Sequence, residues 1–208
     1  MSKHLRIWLF VLLGTLLAST TLLAQGVITM TTSKAVGEKI GLSIKVNGNV
    51  TIEGAQDTGE TDDYGRKSYR LTSQTITIRG DVTTLDCSFN QLTSLKLPKS
   101  TALTTLDCSF NQLTSLDVSK NTALTVLGCN GNKLTSLDVS KNTALTELDC
   151  NGNKLTNLNL SGCARLEMLF CASNYIKGKA MTKLVNSLPN RRGMSRGTLF
   201  RLIGQNGG

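Results

Sequence analysis

The sequence predicts a β-rich right-handed solenoid in which one short strand per turn builds a parallel sheet. A small N-terminal β cap and a C-terminal helix and strand close its two ends. Three observations predict it. The chain matches itself at a period of 21 residues: TALTTLDCSFNQLTSLDVSKN (101–121) is followed by TALTVLGCNGNKLTSLDVSKN (122–142) and TALTELDCNGNKLTNLNLSGC (143–163). A truncated forerunner (81–100) and a drifting successor (164–180) bring the number of coils to five, and a fixed period of this length marks stacked coils. Five columns hold across the coils: Val82/Leu103/Leu124/Leu145/Leu166; Leu85/Leu106/Leu127/Leu148/Leu169; Cys87/Cys108/Cys129/Cys150/Cys171; Asn90/Asn111/Asn132/Asn153/Asn174; and Leu92/Leu113/Leu134/Leu155/Ile176. Within each coil, Leu106-Asp107-Cys108 and its equivalents alternate inward, outward, inward, so that equivalent strands lie side by side at about 4.8 Å.

The elements follow in chain order. Lys3 and Arg6 precede an apolar run from Ile7 to Ala18 and a small-residue exit, which describes a secretory signal peptide over residues 1–24, cleaved after Ala24. A membrane anchor is the rival, but Gly14, Thr15, Ser19, Thr20 and Thr21 interrupt the run, and no later segment could span a bilayer. The expected location is therefore secreted or cell-surface. Residues 25–80 hold alternating β-prone runs broken by Gly, Asn and Asp turns and read as the β cap, its last strand (Thr75 to Ile78) stacking on the first coil. The acidic stretch DTGETDDYG (57–65) reads as a solvated hairpin loop, since it lacks the ligand spacing of an EF-hand.

Residues 81–176 are the coils. Each Asn of the fourth column falls where the chain turns out of the sheet, and its amide can satisfy backbone groups that no strand partner reaches. A second apolar pair per coil, such as Leu116/Val118, marks an extended segment on the opposite wall, with no room there for a long helix. The Cys column admits two readings. In a secreted chain it suggests disulfides, but neighbours on adjacent parallel strands project in parallel, whereas a disulfide needs converging Cβ atoms and a torsion near ±90°. Buried unpaired thiols acting as small hydrophobes fit better. Cys163 falls in the column of Asn121 and Asn142, at a corner. Residues 177–208 form the C-terminal segment: Met181, Leu184, Val185 and Leu188 share a helix face ended by Pro189, and Thr198 to Ile203 could form a strand.

The net charge of +9 is not spread along the chain. Seven of the 23 basic residues (Lys177, Lys179, Lys183, Arg191, Arg192, Arg196 and Arg201) lie after residue 174 with no acid among them, and the coils are balanced, so a nucleic-acid partner is not expected. The basic segment reads as a solvated cap face, with contact to an anionic surface as the alternative. His4 is the one histidine and lies in the cleaved segment. No catalytic residue, metal ligand, cofactor site or phosphate-cradling loop is expected, and the protein is read as a non-enzyme.

With its L-x-x-L-x-L-x-x-N-x-L pattern, its LDCS-N-LTSLDVS coils and its cysteine column, the block from 75 to 176 resembles the internalin J-like bacterial leucine-rich-repeat proteins, also represented among Bacteroidetes. RLTSQTITIRGDVT (70–83) and MTKLVNSLPNR (181–191) resemble modules that flank such repeats. The resemblance implies attachment to host or bacterial partners without catalysis. Such proteins usually carry a further wall-binding or sorting domain; the chain, ending at LIGQNGG, is expected to be released or a truncated relative.

Outward positions of the sheet carry no packing duty and are the ones a partner can read. They are Thr104, Thr105, Asp107, Ser109, Phe110 and their equivalents, of which the informative ones are Asp86, Phe89, Asp107, Phe110, Val126, Glu147, Asp149, Glu167, Met168 and Phe170. Five are acidic and none is basic, which suits a basic or mixed surface. Whether the Phe rings are contact points or packing between coils is open at this stage. The expected function is an exported adhesion or recognition module, a monomer that binds a protein or glycan; a secreted inhibitor capping an enzyme is the alternative.

Overall fold

The computed structural model describes residues 26–189 and 200–201. The signal peptide expected over residues 1–24, with the cleavage expected after Ala24, and the basic residues Arg191, Arg192 and Arg196 lie outside the described residues. The cap comprises β1 (Val27–Thr32), β2 (Lys39–Glu53), β3 (Ala55–Thr61), β4 (Lys67–Leu71) and the first half of β5 (Thr75–Asp86). β6 (Leu92–Lys96) completes the first coil, and each later coil contributes one three-residue strand: β7 (Thr105–Asp107), β8 (Val126–Gly128), β9 (Glu147–Asp149) and β10 (Met168–Phe170). α1 (Lys179–Ser187) and β11 (Phe200–Arg201) follow.

All these strands belong to one sheet, ordered β11-β10-β9-β8-β7-β5-β2-β4-β3, with β1 pairing antiparallel to β5 and β6. From β5 to β10 the neighbours are parallel and in strict register, Leu85, Leu106, Leu127, Leu148 and Leu169 standing opposite one another. The 21-residue period produces this register, because every coil presents the same side chain at the same height. Those leucines, together with Leu103, Leu124, Leu145, Leu113, Leu134 and Leu155, are fully enclosed, and the cap's Ile28, Met30, Ile40, Leu42, Ile76 and Ile78 continue the same core.

The cap does not end in a separate strand at Ile78. β5 runs on through residue 82 into the first coil and pairs with both β2 and β7. What makes this possible is a bulge: Lys45 pairs with Thr84 but Val46 with Val82, so β5 carries one extra residue there. Ahead of it the inward side chains are Ile76, Ile78 and Val82; beyond it they are Leu85 and Cys87. A single inserted residue inverts the in–out alternation of a strand, and here it converts the phase of the cap into the phase of the repeat.

On the opposite wall only the first coil forms a ladder, through β6 with β1; in the later coils Leu116, Val118, Leu137, Val139, Leu158 and Leu160 are buried without strand pairing among the described residues. α1 lies on this wall at the last coil, where Leu184 is fully buried and the Leu160 N–H donates to Ser187 Oγ at 3.1 Å. The apolar face of α1 is narrower than its sequence pattern, since Met181 and Leu188 are half-buried and Val185 faces solvent. β11 adds a parallel rung beside β10, Leu169 opposite Phe200; the rest of the strand expected over 198–203 lies outside the described residues. No helix among the described residues is long and apolar enough to cross a membrane.

Candidate recognition surface

The inward columns fix what is left outside. All six cysteines are free and buried. Burial raises the thiols of Cys87, Cys108 and Cys129 well above their ordinary range, with neighbouring sulfurs adding to it, and pushes Cys163 up to about 11. Such thiols are not nucleophiles. The Asn amides tie each coil to the one before it. Asn132 accepts from the Leu113 N–H through Oδ1 at 2.9 Å and donates through Nδ2 to the carbonyls of Cys108 and Cys129 at 3.0 and 3.1 Å. Asn111, Asn153 and Asn174 repeat the pattern, and Asn90 applies it to the Gly41 backbone of the cap. In the second Asn column the Nδ2 of Asn121 and Asn142 donate to Pro98 and Val118 carbonyls, and Cys163 Sγ continues the series toward Val139 at 3.5 Å.

Of the outward positions, some carry structural duties that the repeat did not reveal. Thr104, Thr125 and Thr146 each donate a hydroxyl to the carbonyl of the threonine 21 residues earlier; Glu167 ends that series and is exposed. Ser109 and its equivalent Ser88 are buried rather than outward. The reason is the acidic column itself: the Oδ1 atoms of Asp86, Asp107 and Asp149 each accept the backbone N–H two residues on, at 2.9, 2.9 and 3.0 Å, which curls the chain inward after the strand. These carboxylates therefore have one oxygen engaged and remain half-exposed.

Gly128 takes the place of an aspartate between Asp107 and Asp149. A Cβ there would lie 3.0 Å from Asp107 Oδ1 and 3.2 Å from Ser109 Oγ, so the glycine leaves room for the Asp107 carboxylate to lie against the backbone of the next coil. Burial raises the pKa of Asp149 above the ordinary carboxylate range, and the charge of Asp107 adds to it. Val126 and Glu147 stand half-buried on the neighbouring outward column, with Met168 exposed at its end and Phe170 half-buried beside it.

Phe89 and Phe110 form the other feature. Their rings stack at 4.4 Å with planes 15° apart, and Tyr64 of the cap stacks on Phe89 at 5.0 Å and 10°. The far end of the stack rests on bare backbone, since a Cβ at Gly131 would be 2.7 Å from the Phe110 ring. The rings are thus both packed on one another and exposed, at 64%, 42% and 49% for Tyr64, Phe89 and Phe110. Phe89 and Phe110 have φ of 56° and 52°, the left-handed region that Gly131 and Gly152 occupy at the same place in the next two coils. A bulky residue holds that conformation only where surrounding contacts enforce it.

The turn between β3 and β4 enforces it at the cap end. Arg66, only 5% exposed, bonds Asp62 at 2.7 Å and Asp86 at 3.3 Å, donates to Ser88 Oγ at 2.8 Å and to the Ser88 carbonyl, and lies 5.1 Å from the Tyr64 ring. The acidic stretch 57–65 is accordingly not a free loop: Asp57, Glu60 and Asp62 pair with Lys67, Lys39 and Arg66. Tyr64 and Arg66 belong to the surface and were missed in the sequence, because neither lies in the repeat. The assembled face carries Asp86, Asp107, Glu147 and Asp149 between an aromatic ridge at the cap end and Met168, Phe170 and Glu167 at the other.

Coil geometry, Asn ladder and buried Cys column together define a leucine-rich-repeat solenoid. Residues 82–121 match the family described as Leucine Rich repeats (2 copies). Among solved structures, the chain is similar to the functional domain of InlJ from Listeria monocytogenes, which includes a cysteine ladder: identity is 41%, TM-score 0.43, and the match covers 50% of this chain and 24% of that one. The chain thus spans about a quarter of that domain. No curated protein matches.

Proposed function

We propose that the chain is an exported recognition module, a monomer acting outside the cell or at the bacterial surface in adhesion, and that it binds a protein through the strand face. In this reading the cap (25–80) and coils (81–176) form one binding unit, residues 1–24 direct export, and the basic segment 177–208 is a solvated end. It assigns no catalysis and no cofactor. The observation that carries it is the exposed aromatic ridge beside the acidic side chains of Asp107, Glu147 and Asp149, none of which has an ion-pair partner among the described residues. A ridge of this kind favours protein over glycan: sugars stack on ring faces, and the faces of Phe89 are covered by Tyr64 and Phe110 while Phe110 lies between Phe89 and the Gly131 backbone. Ring edges and carboxylates together fit apolar and basic side chains.

The test uses Phe110→Gly and Asp107→Asn in one chain. Glycine is native to that left-handed position in the next two coils, at Gly131 and Gly152, and asparagine retains the acceptor for the Ser109 N–H, so thermal stability is expected to stay within about 1 kcal/mol. Screened against arrays of surface proteins and of glycans, the native chain is expected to retain a protein and the double variant to lose it by about 2 kcal/mol or more. Retention of glycans alone, or equal protein binding by both chains, would reject the reading.

A further inference from the structure

The wall opposite the strand face carries a cleft where α1 meets the coil of residues 143–163. It holds about 510 Å³ and is lined by Asn157, Leu158, Asn159, Lys179, Ala180 and Lys183. Sites that take small molecules span about 300–1,000 Å³. This coil departs from its period at the two polar positions that line the cleft: Asn157 stands where the two coils before it have Ser115 and Ser136, and Asn159 where they have Asp117 and Asp138. The second change removes a carboxylate at the point where two lysines arrive. Asn159 keeps the structural duty of those aspartates, since its Oδ1 accepts the Ser161 N–H at 3.1 Å as theirs accept the N–H groups of Ser119 and Ser140 at 2.9 Å. Its Nδ2 donor is left over.

Lys179 and Lys183 stand four apart on α1 and so share one of its sides. Neither forms an ion pair among the described residues, with Asp138 one coil back or with any other acid, and the sequence holds no acid after Glu167. Two ammonium groups and two carboxamides thus line one cleft as donors, without a carboxylate, beside the apolar Leu158 and Ala180. Flat, two-pronged recognition of a carboxylate is the property of arginine, which the cleft lacks, whereas lysine holds a phosphate as a point charge. We infer that the cleft binds a phosphate or sulfate monoester, its charged oxygens held by Lys179 and Lys183 and its carrier lying along Leu158 and Ala180 within reach of the Asn157 and Asn159 amides. This gives the C-terminal end a ligand beyond the solvated role assigned to it above, and it holds whatever the strand face binds. A soluble sugar ester and a lipid headgroup present the same group.

Calorimetric titration of the full chain at fixed ionic strength with glucose 6-phosphate, and with glucose as the uncharged control, tests the site. Flotation with phosphatidylcholine vesicles, with and without phosphatidic acid, distinguishes the sources. Asn159→Asp restores the residue of the two preceding coils together with its acceptor for the Ser161 N–H, and its melting curve should match that of the native chain. Lys183→Gln removes a charge from the cleft, and Lys133→Gln removes one from an exposed turn outside it. The native chain is expected to bind the ester and not glucose, with affinity lower by about tenfold or more in Asn159→Asp and Lys183→Gln and changed by less than about twofold in Lys133→Gln. Capture by phosphatidic acid vesicles with the same variant pattern assigns the group to a lipid; binding of the ester without capture assigns it to a soluble molecule. Equal binding by the native chain and Asn159→Asp, equal weakening by Lys133→Gln, or binding of neither probe overturns the site. The strand-face variant Phe110→Gly/Asp107→Asn should bind the ester as the native chain does, so either site can fail without the other.

Discussion

Asn132→Ala is expected to destabilise the protein by about 3 kcal/mol, more than truncation of any outward residue. The amide is buried, and its loss orphans the Leu113 N–H and removes donors from the Cys108 and Cys129 carbonyls inside the coil, where each unsatisfied group costs about 1–3 kcal/mol. Asn132→Asp separates hydrogen bonding from volume. It keeps an acceptor for Leu113 but turns an oxygen toward two carbonyls, so at neutral pH it should be at least as damaging as alanine. A carboxyl held there has its folded pKa raised. Its penalty is fully present above that value and is relieved, relative to the native chain, as the pH falls toward the ordinary carboxylate range. Urea melts at neutral and acid pH measure both.

Arg66→Ala is expected to cost about 3–5 kcal/mol, the range for removing one partner of a buried ion pair. The guanidinium ties Asp62 in the β3–β4 turn to Asp86 at the end of β5 and to Ser88, which Asp86 holds in the first Asx turn. Without it two carboxylates lose their counter-charge and Tyr64 its support. Because repeat coils contact mainly their neighbours, the damage should be confined. Hydrogen exchange should accelerate in β3, β4 and the first coil while β8 to β10 stay protected. Arg66→Lys keeps the charge but not the fork that reaches Asp62 and Ser88 together, and should recover only part of the loss.

The contrast between these two residues shows what the sequence could disclose. Asn132 was legible because a strict period repeats the same physical problem five times, and a residue that solves it in every coil stands out as a column. What the column concealed was the direction of the bonds: the amide serves the preceding coil as well as its own. Arg66 and Tyr64 had no such signal. Their partners Asp86, Ser88 and Phe89 lie 20 to 25 residues away across an unrepeated hairpin, and an Arg beside acidic turn residues reads locally as a solvated face. Phe89 and Phe110 were half legible. Their column continues as Gly131 and Gly152 in Asn-Gly turns, which implies a left-handed backbone, but the stacking that holds phenylalanine there depends on a cap residue outside the period. The duty of the acids Asp86 and Asp107 as turn acceptors appears only once Ser88 and Ser109 are seen to be buried. The phase change in β5 was hidden for a related reason, since a bulge inserts one residue without altering the apolar composition on either side.

Everything about the surface follows from one partition: sulfur and carboxamide columns inside the coil, strand-edge side chains outside. Alkylation of the native chain with iodoacetamide, read by mass spectrometry with and without denaturant, tests it most directly. Cys87, Cys108, Cys129, Cys150, Cys163 and Cys171 should all stay unmodified in the native protein and all become modified once it is unfolded. Rapid native labelling of the column, or masses showing its thiols joined in pairs, would contradict the coil and the face built on it.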